Sequence, residues 1–266
     1  MLAPLIYVYN TDTVKNADGD KVAIDADITS GVFGGGISVV KTKKLLGANY
    51  GFEVLLPVWA NNRIQGTEID ANPGAGLTDS ALVPVSLGWH FKRADAVANY
   101  TIYVPTGRYE DGADDNTGMG MWGQEVGVGT TVYLNEARQY HAATLASITW
   151  QSEKKDSDTK VGTAMNFEGG VGADFLKGGL TVGLDYYASF KLTKDRLGDF
   201  PLNIGRLEKA GVFGLGPEVS LALAKGGTLY GSIKVSYQWE TYAKAQTQGS
   251  TFVFLSTWFL KPIQLP

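Results

Sequence analysis

Apolar and polar residues alternate with a period of two along most of the chain, and this period predicts β-strands. The clearest segment is Leu180–Lys191, in which Leu, Val, Tyr, Ala and Phe side chains alternate with polar or small ones. Segments 161–175 and 229–240 repeat the pattern. No amphipathic helix separates these segments, so the pattern predicts an all-β chain.

Many of the predicted strands are long. Several have 12 or more residues, whereas strands of soluble sheets have a mode of about 5–6. A tilted strand that crosses a bilayer needs about 9–11 residues. We predict twelve strands: 2–9, 32–40, 48–58, 81–91, 97–105, 121–133, 140–151, 160–175, 180–192, 211–223, 228–240 and 250–260.

The links between these strands alternate in length. The long links are rich in Asp, Asn and Gly, which suits exposure to water. Long loops at one edge and tight turns at the other are typical of an outer-membrane barrel. An even number of strands puts both ends of the chain on the short-turn, periplasmic side. The long links are 10–31, 59–80, 106–120 and 193–210, and the clearest short ones are 92–95, 176–179 and 225–227.

A sheet in lipid must close, because an open edge leaves its N–H and C=O groups without partners. We therefore predict one domain over residues 1–266, a transmembrane antiparallel up-and-down β-barrel of 12 strands with short periplasmic turns and long extracellular loops. The alternative is a soluble sandwich whose polar face points outward. Pro57, Pro84 and Pro217 interrupt strands, and we expect bulges or gaps in the wall there.

Tryptophan residues cluster near the ends of the predicted strands. Aromatic girdles are expected where strands cross the two membrane interfaces, although aromatics are also common in strands generally. The predicted girdle residues are Trp59, Trp122, Trp150 and Trp239 at the long-loop ends, with Trp89 and Trp258 at the turn ends.

Composition removes several classes of function. The chain has 34 Gly among 266 residues, no Cys, two His and a formal net charge of −4. Without Cys there is no disulfide framework, thiolate metal site or Cys nucleophile, and the acidic balance argues against nucleic acid as a partner. We expect no metal, no cofactor and no membrane helix. No signal peptide is apparent, so an exported protein would be represented here in its mature form.

Four segments are distinctive in their order and spacing: 44–57 (KLLGANYGFEVLLP), 82–90 (LVPVSLGWH), 103–109 (YVPTGRY) and 213–218 (FGLGPE). Together they resemble the outer-membrane channel family named after the MetA pathway of phenol degradation, and the resemblance covers nearly the whole chain. It implies a monomeric channel in a Gram-negative outer membrane, in contact with lipid and lipopolysaccharide. It further implies uptake of small hydrophobic or aromatic compounds that are destined for degradation. No catalytic or binding residue is carried over from the family.

The phase of each strand predicts which side chains line the lumen. Five charged residues lie at similar distances from the short turns, and we interpret them as a possible ring of charge that favours cations. The alternative is that they form pairs that only brace a polar interior. The ring residues are Glu53, Glu168, Asp185, Glu218 and Lys234. Further lumen candidates are His90, Tyr103, Glu125, Asp174, Tyr187, Lys191, Gln238 and Glu240.

An outer-membrane acyl hydrolase is a competing class, because Ser86 shares a face with His90. Same-strand residues four apart are separated by about 13 Å, too far for a nucleophile and its base, and no nucleophile motif is present. The acidic loop 110–116 lacks the order of an EF-hand, so a solvated loop is favoured over an ion site. We therefore predict a passive channel rather than an enzyme. A general porin for small ions, with weak cation preference, and a structural barrel remain alternatives.

Overall fold

A computed structural model describes residues 1–66, 71–196 and 209–264. Within these ranges the chain forms thirteen strands and one short 3₁₀ turn, Leu176–Gly178. No helix of the described residues is long and apolar enough to span a membrane. The strands are β1 Leu2–Thr11, β2 Asp27–Leu45, β3 Ala48–Gln65, β4 Ala71–Gly76, β5 Ser80–His90, β6 Ala94–Val104, β7 Gly123–Tyr133, β8 Tyr140–Gln151, β9 Ala164–Phe175, β10 Leu180–Lys191, β11 Gly211–Lys225, β12 Thr228–Lys244 and β13 Ser250–Gln264.

The sheet is a closed antiparallel meander. Successive strands pair from β5 through to β13, β13 pairs with β1, and the β1–β2, β2–β3 and β3–β5 pairings complete the circle. All of these pairings are antiparallel. The predicted barrel, its short turns and its long loops are confirmed.

Strand β4 belongs to the same column of the wall as β5. β3 pairs with β4 as Ala60↔Gly76 and with β5 as Leu55↔Ala81, so one register continues through both. The barrel thus has twelve columns, one of which is interrupted at residues 77–79. The expected loop 59–80 was wrong in this part, because the Gly- and Ala-rich segment of β4 carries no alternation that marks it as a strand.

The interruption is held by a loop rather than by the neighbouring strand. The Asp79 carboxylate accepts hydrogen bonds from the backbone N–H groups of Gly107 and Met119, at 3.0 and 2.7 Å. The Thr117 hydroxyl donates to the carbonyl of Leu77 at 2.6 Å. Loop 105–122 therefore supplies the partners that β3 does not supply at this height.

The strands also extend further than predicted on the extracellular side. β2 begins at Asp27 and β3 ends at Gln65, inside segments that we expected to be loops. The extensions are largely polar on both faces, apart from the paired Ile28 and Ile64; for example, the Ser30 hydroxyl donates to the Asn62 side-chain oxygen at 2.6 Å. Beyond the bilayer neither face needs to be apolar, so the alternation that marks a strand is missing there.

The register shifts occur at two of the three prolines. The pairing of β2 with β3 shifts next to Pro57, and β5 shifts against both neighbours around Pro84. The register of β10 against β11 runs unbroken through Pro217, and the nearest shift on β11 is at Phe213/Gly214. The expectation of a bulge at Pro217 was therefore wrong, although Gly216 and Pro217 have no paired residue on β12.

The outward face of the wall is apolar and exposed. Val128, Val171 and Leu184 are 57%, 56% and 52% exposed. These values are high for aliphatic side chains in mid-strand, and lipid contact explains them. Polar side chains that point inward are instead among the best buried, as shown by Thr251 at 2% and Ser236 at 3% exposure. The barrel is therefore apolar outside and polar at its centre.

Candidate functional site: the lumen of the barrel

A carboxylate at the extracellular end of the lumen gathers donors from three elements. Glu240 on β12 accepts hydrogen bonds from the hydroxyls of Tyr9 and Tyr187, at 3.0 and 2.8 Å. The backbone N–H of Gly249 also donates to it, and the Tyr9 hydroxyl lies 2.9 Å from Thr247. We call Tyr9, Tyr187, Glu240, Thr247 and Gly249 the Glu240 cluster. It links β1, β10 and β12, which lie within five consecutive strands of the wall.

A glycine on the intervening strand makes this contact possible. Tyr187 is on β10 and Glu240 is on β12, so the tyrosine side chain must cross β11. At Gly214 of β11, an added Cβ would lie 2.6 Å from the Tyr187 ring. Any larger residue there would push the ring away from Glu240.

A second hydrogen-bonded series continues around the same end of the barrel. The Thr149 hydroxyl donates to Glu125 at 2.7 Å, and Tyr103 donates to the same oxygen at 3.3 Å. The Asn166 amide donates to Thr149 at 2.9 Å and accepts from Ser189 at 2.7 Å. We call Tyr103, Glu125, Thr149, Asn166 and Ser189 the Glu125 series. Together with the Glu240 cluster it forms what we call the extracellular layer.

Below this layer lies a cavity of about 890 Å³, which we call the chamber. Among the described residues, its lining extends up to Tyr187, Gln238 and Thr251 and down to His90 and His141 near the periplasmic turns. Neither Glu240 nor Glu125 is part of that lining. The side chains of the extracellular layer therefore bond to one another, and the open volume of the chamber lies below them.

One wall of the chamber is charged. The ammonium of Lys234 forms an ion pair with Glu218 and lies 4.0 Å from Asp185. Glu168 lines the same chamber but is exposed, and it makes no hydrogen bond or ion pair with the described residues. The structure thus brings Asp185, Glu218 and Lys234 into contact and leaves Glu168 open to the lumen.

Two other parts of the chamber wall are apolar. Leu5 of β1 is the register partner of Leu255 of β13, and both line the cavity. On the opposite side, Val97 and Leu145 converge over Gly129, where an added Cβ would lie 3.1 and 2.9 Å from them. The lining therefore combines carboxylates with aliphatic surface.

The periplasmic rim carries both histidines. His90 Nδ1 lies 2.9 Å from Asp95, and the Tyr133 hydroxyl donates to the same carboxylate at 2.6 Å. His141 lies 3.7 Å from Asp174, which also accepts from Thr181 at 2.5 Å.

No serine hydroxyl contacts either histidine within the described part of the chain, so neither ring is in contact with a nucleophile there. His90 Nδ1 is engaged with Asp95, its direct register partner in the β5–β6 hairpin.

The remaining predicted lumen residues lie elsewhere. Glu53 has Ser38 and Val83 as register partners and is not part of the chamber lining, so the structure does not place it with the other four proposed ring residues. Lys191 forms an ion pair with Asp195 at the extracellular rim.

The predicted girdle residues lie near the two edges of the barrel. Trp59, Trp122, Trp239 and Trp258 have exposed side chains. The Trp89 indole N–H donates to the carbonyl of Leu46 at 3.2 Å, next to a periplasmic turn. Trp150 pairs with Gln124 near the extracellular end.

Loop 110–116 is ordered by its own side chains. The Asn116 amide donates to the carbonyls of Glu110 and Ala113 at 2.8 and 3.0 Å, and its oxygen accepts from the Glu110 N–H at 2.8 Å. Arg108 pairs with Asp115 at 3.2 Å. Within the described residues, no group of three or more His, Asp or Glu side chains is arranged to hold a metal ion.

Sequence reasoning missed the apolar part of the lumen, because we assumed that the inward face is polar throughout. Leu5, Val97, Leu145, Val253 and Leu255 all line the chamber. The signal was present in β1 and β13, where the segments LIYV (5–8) and FVFL (252–255) have no polar residue to alternate with the apolar and aromatic ones. A continuous apolar run is typical of a strand whose two faces both contact apolar surroundings.

A closed barrel with an apolar outer belt and a polar, partly open lumen defines an outer-membrane channel fold, and it places the chain in a bacterial outer membrane. The chain belongs to the family described as "Putative MetA-pathway of phenol degradation", whose profile matches residues 11–255. The resemblance noted from the sequence is therefore confirmed.

Comparison with solved structures supports the fold. The chain is similar to an outer membrane channel from Pseudomonas putida F1, with a TM-score of 0.79 and 12% identity over 97% of this chain and 94% of that one. It is more distantly similar to the NanC porin, at 8% identity over 98% and 100% of the two chains. A third similar structure is the β domain of the Bordetella autotransporter BrkA, at 14% identity over 97% and 99%. The NanC porin and the BrkA β domain each have a TM-score of 0.49. A search of curated proteins found no match.

Proposed function

We propose that the protein is a passive outer-membrane channel for the uptake of small hydrophobic or aromatic molecules. The observation that carries the proposal is the chamber, whose volume of about 890 Å³ falls within the range of small-molecule pockets, about 300–1,000 Å³. Its lining includes both aliphatic residues and tyrosines, among them Tyr7 and Tyr187. Family membership supports the same class of solute.

The filled extracellular layer argues against a wide aqueous pore. A general porin keeps its lumen open to water along its whole length. Here Glu240 and Glu125 have their oxygens engaged by tyrosine and threonine hydroxyls. A solute that passes this layer must displace hydrogen bonds, whereas ions would need a continuous column of water.

A weakly cation-selective pore for small ions is the second candidate function. The charged wall of the chamber favours it, because Asp185, Glu218 and Glu168 outnumber Lys234. Planar-bilayer conductance separates the candidates: frequent large openings support the ion pore, and a quiet membrane containing folded protein supports the hydrophobic route.

Two routes into the chamber are compatible with the fold. One leads through the extracellular layer. The other leads through the wall at residues 77–79, where β3 lacks a partner strand. A disulfide between Trp59→Cys and Leu77→Cys, placed across this interruption, separates them. Loss of uptake on oxidation assigns the side route, and unchanged uptake assigns the route through the layer.

The proposed function is tested in intact Gram-negative cells with 1-N-phenylnaphthylamine, which fluoresces once it reaches the apolar part of the inner membrane. We expect cells that express the protein to take up the dye several-fold faster than cells with an empty vector. Hydrolysis of nitrocefin by a periplasmic β-lactamase reports damage to the outer membrane and should stay unchanged. Equal dye uptake by both strains would contradict the proposal.

A further inference from the structure

We propose that the chamber holds a cation-binding subsite centred on Glu168, and that it selects apolar solutes that carry an ammonium group. This inference deepens the proposed function and rests on it. The occupant is an amphiphile with an aromatic or aliphatic body and a positive head, rather than a neutral hydrocarbon or an organic acid.

The first observation is a carboxylate that forms no hydrogen bond or ion pair with the described residues. Glu168 lies in mid-strand on β9, exposed to the chamber. Lys234, which is the lysine of the described chamber lining, forms its ion pair with Glu218 rather than with Glu168. A carboxylate that faces a partly apolar cavity and has no ion-pair partner among the described residues is open to a bound ammonium.

The second observation is the pair of residues on either side of Glu168. Its register partners are Tyr187 on β10 and Leu145 on β8, and directly paired side chains have their Cβ atoms about 4.5–5.5 Å apart. The Tyr187 hydroxyl is occupied by Glu240 at 2.8 Å, so the group that remains for the chamber is the ring. The Tyr187 ring leans over Gly214 toward Glu240 and lines the same chamber as Glu168, so a cation held by Glu168 has an aromatic ring within that chamber.

The third observation is the apolar shelf next to this site. Val97 and Leu145 meet over Gly129, which is the register partner of Leu145 on β7. Leu145 is in turn the register partner of Glu168 on β9. This shelf gives an apolar body a surface to lie on while its head contacts Glu168. Charge at one end and aliphatic surface at the other specify an amphiphile.

The test measures binding of permanently charged probes to the full-length protein in lipid nanodiscs, with empty nanodiscs subtracted. Benzyltrimethylammonium supplies ring and cation, tetramethylammonium supplies the cation alone, and benzenesulfonate supplies ring and anion. Because charge and ring both contribute, we expect benzyltrimethylammonium to bind the unaltered protein at least about tenfold more tightly than either of the others.

Glu168→Gln should weaken binding of benzyltrimethylammonium about tenfold, since the Coulomb attraction is lost while the shelf remains. Glu53→Gln is the matched control, because it removes a lumen carboxylate outside the chamber lining, and it should change binding less than about twofold. Glu168→Lys should reverse the preference toward benzenesulfonate. Heat-modifiable migration on gels verifies that each variant is folded.

Equal binding of benzyltrimethylammonium by the unaltered protein and Glu168→Gln would overturn the subsite, as would an equal loss in Glu53→Gln. The proposed function is tested separately, by the uptake of 1-N-phenylnaphthylamine. Neutral 1-N-phenylnaphthylamine could still enter cells through the protein while benzyltrimethylammonium binds no more tightly than the other two probes. In that case the channel function survives and the subsite is rejected.

Discussion

The two halves of the lumen are built on the same strands yet behave differently. In the extracellular layer, inward side chains reach across to one another, and Glu240 alone receives donors from β1, β10 and the β12–β13 loop. In the chamber, inward side chains are shorter, apolar or paired with immediate neighbours, and about 890 Å³ stays open. The difference teaches that the length and hydrogen-bonding capacity of inward residues, rather than strand number alone, decide whether this barrel is filled.

Removal of a carboxylate should distinguish the two halves most strongly. Glu240→Ala leaves the Tyr187 hydroxyl and the Gly249 N–H without their acceptor and leaves Thr247 as the partner of the Tyr9 hydroxyl, so we expect the free energy of unfolding to fall by about 3 kcal/mol. Glu168→Ala in the chamber should change it by less than about 0.5 kcal/mol. Urea titration of the barrel folded in lipid vesicles measures both values, and equal losses would remove the distinction between layer and chamber.

Added side-chain volume at a glycine should give the second-largest difference between the two halves of the lumen. Gly214→Ala forces the Tyr187 ring aside and should cost about 1–3 kcal/mol. At Gly88, which faces the chamber, an added Cβ meets no atom within 4 Å, so Gly88→Ala should be nearly neutral. The same urea titration applies, and a neutral Gly214→Ala would show that Tyr187 does not depend on this gap.

A smaller effect is expected from a single hydroxyl. Thr149→Val removes the donor to Glu125 and the acceptor of Asn166, at a cost of about 1 kcal/mol. Thr131→Val in the chamber lining is the control and should be within about 0.5 kcal/mol of the unaltered protein. If Thr149→Val and Thr131→Val lower the free energy of unfolding equally, the hydrogen bonds of the Glu125 series contribute no more to stability than a hydroxyl in the chamber lining.

The smallest effect concerns ion selectivity. On the background of Glu240→Ala, which we expect to open the extracellular layer, Glu168→Gln should lower cation preference, and Glu53→Gln should change it less. The reason is that Glu168 lines the chamber and Glu53 does not. Reversal potentials across a salt gradient measure this preference, and identical values for the two variants would restore a common ring of charge.

Much of the fold was predictable because lipid on the outer face enforces a strict alternation. Outward residues such as Val128 and Leu184 must be apolar, so strands of the membrane zone show a clear period of two. The ends of β2 and β3 and the whole of β4 were not predictable in this way, since they stand in water or carry small residues and have no such constraint.

For the candidate site, the sequence predicts which face of its strand each residue occupies, but not which side chains contact one another. Strand phase predicts that Glu168, Asp185, Glu218 and Lys234 point inward, because phase is a local property of each strand, and these four residues are part of the chamber lining. It does not report which side chains meet across the lumen. The contact between Tyr187 and Glu240 depends on a glycine of the intervening strand, Gly214, and such three-strand arrangements require the register of the closed barrel.

Planar-bilayer conductance of the unaltered protein, compared with Glu240→Ala, tests the central claim most directly. We expect little steady ion current from the folded unaltered protein and clear openings in Glu240→Ala, since the extracellular layer is the barrier to water. Large steady openings of the unaltered protein, unchanged in Glu240→Ala, would contradict a filled extracellular layer and would favour a general ion pore.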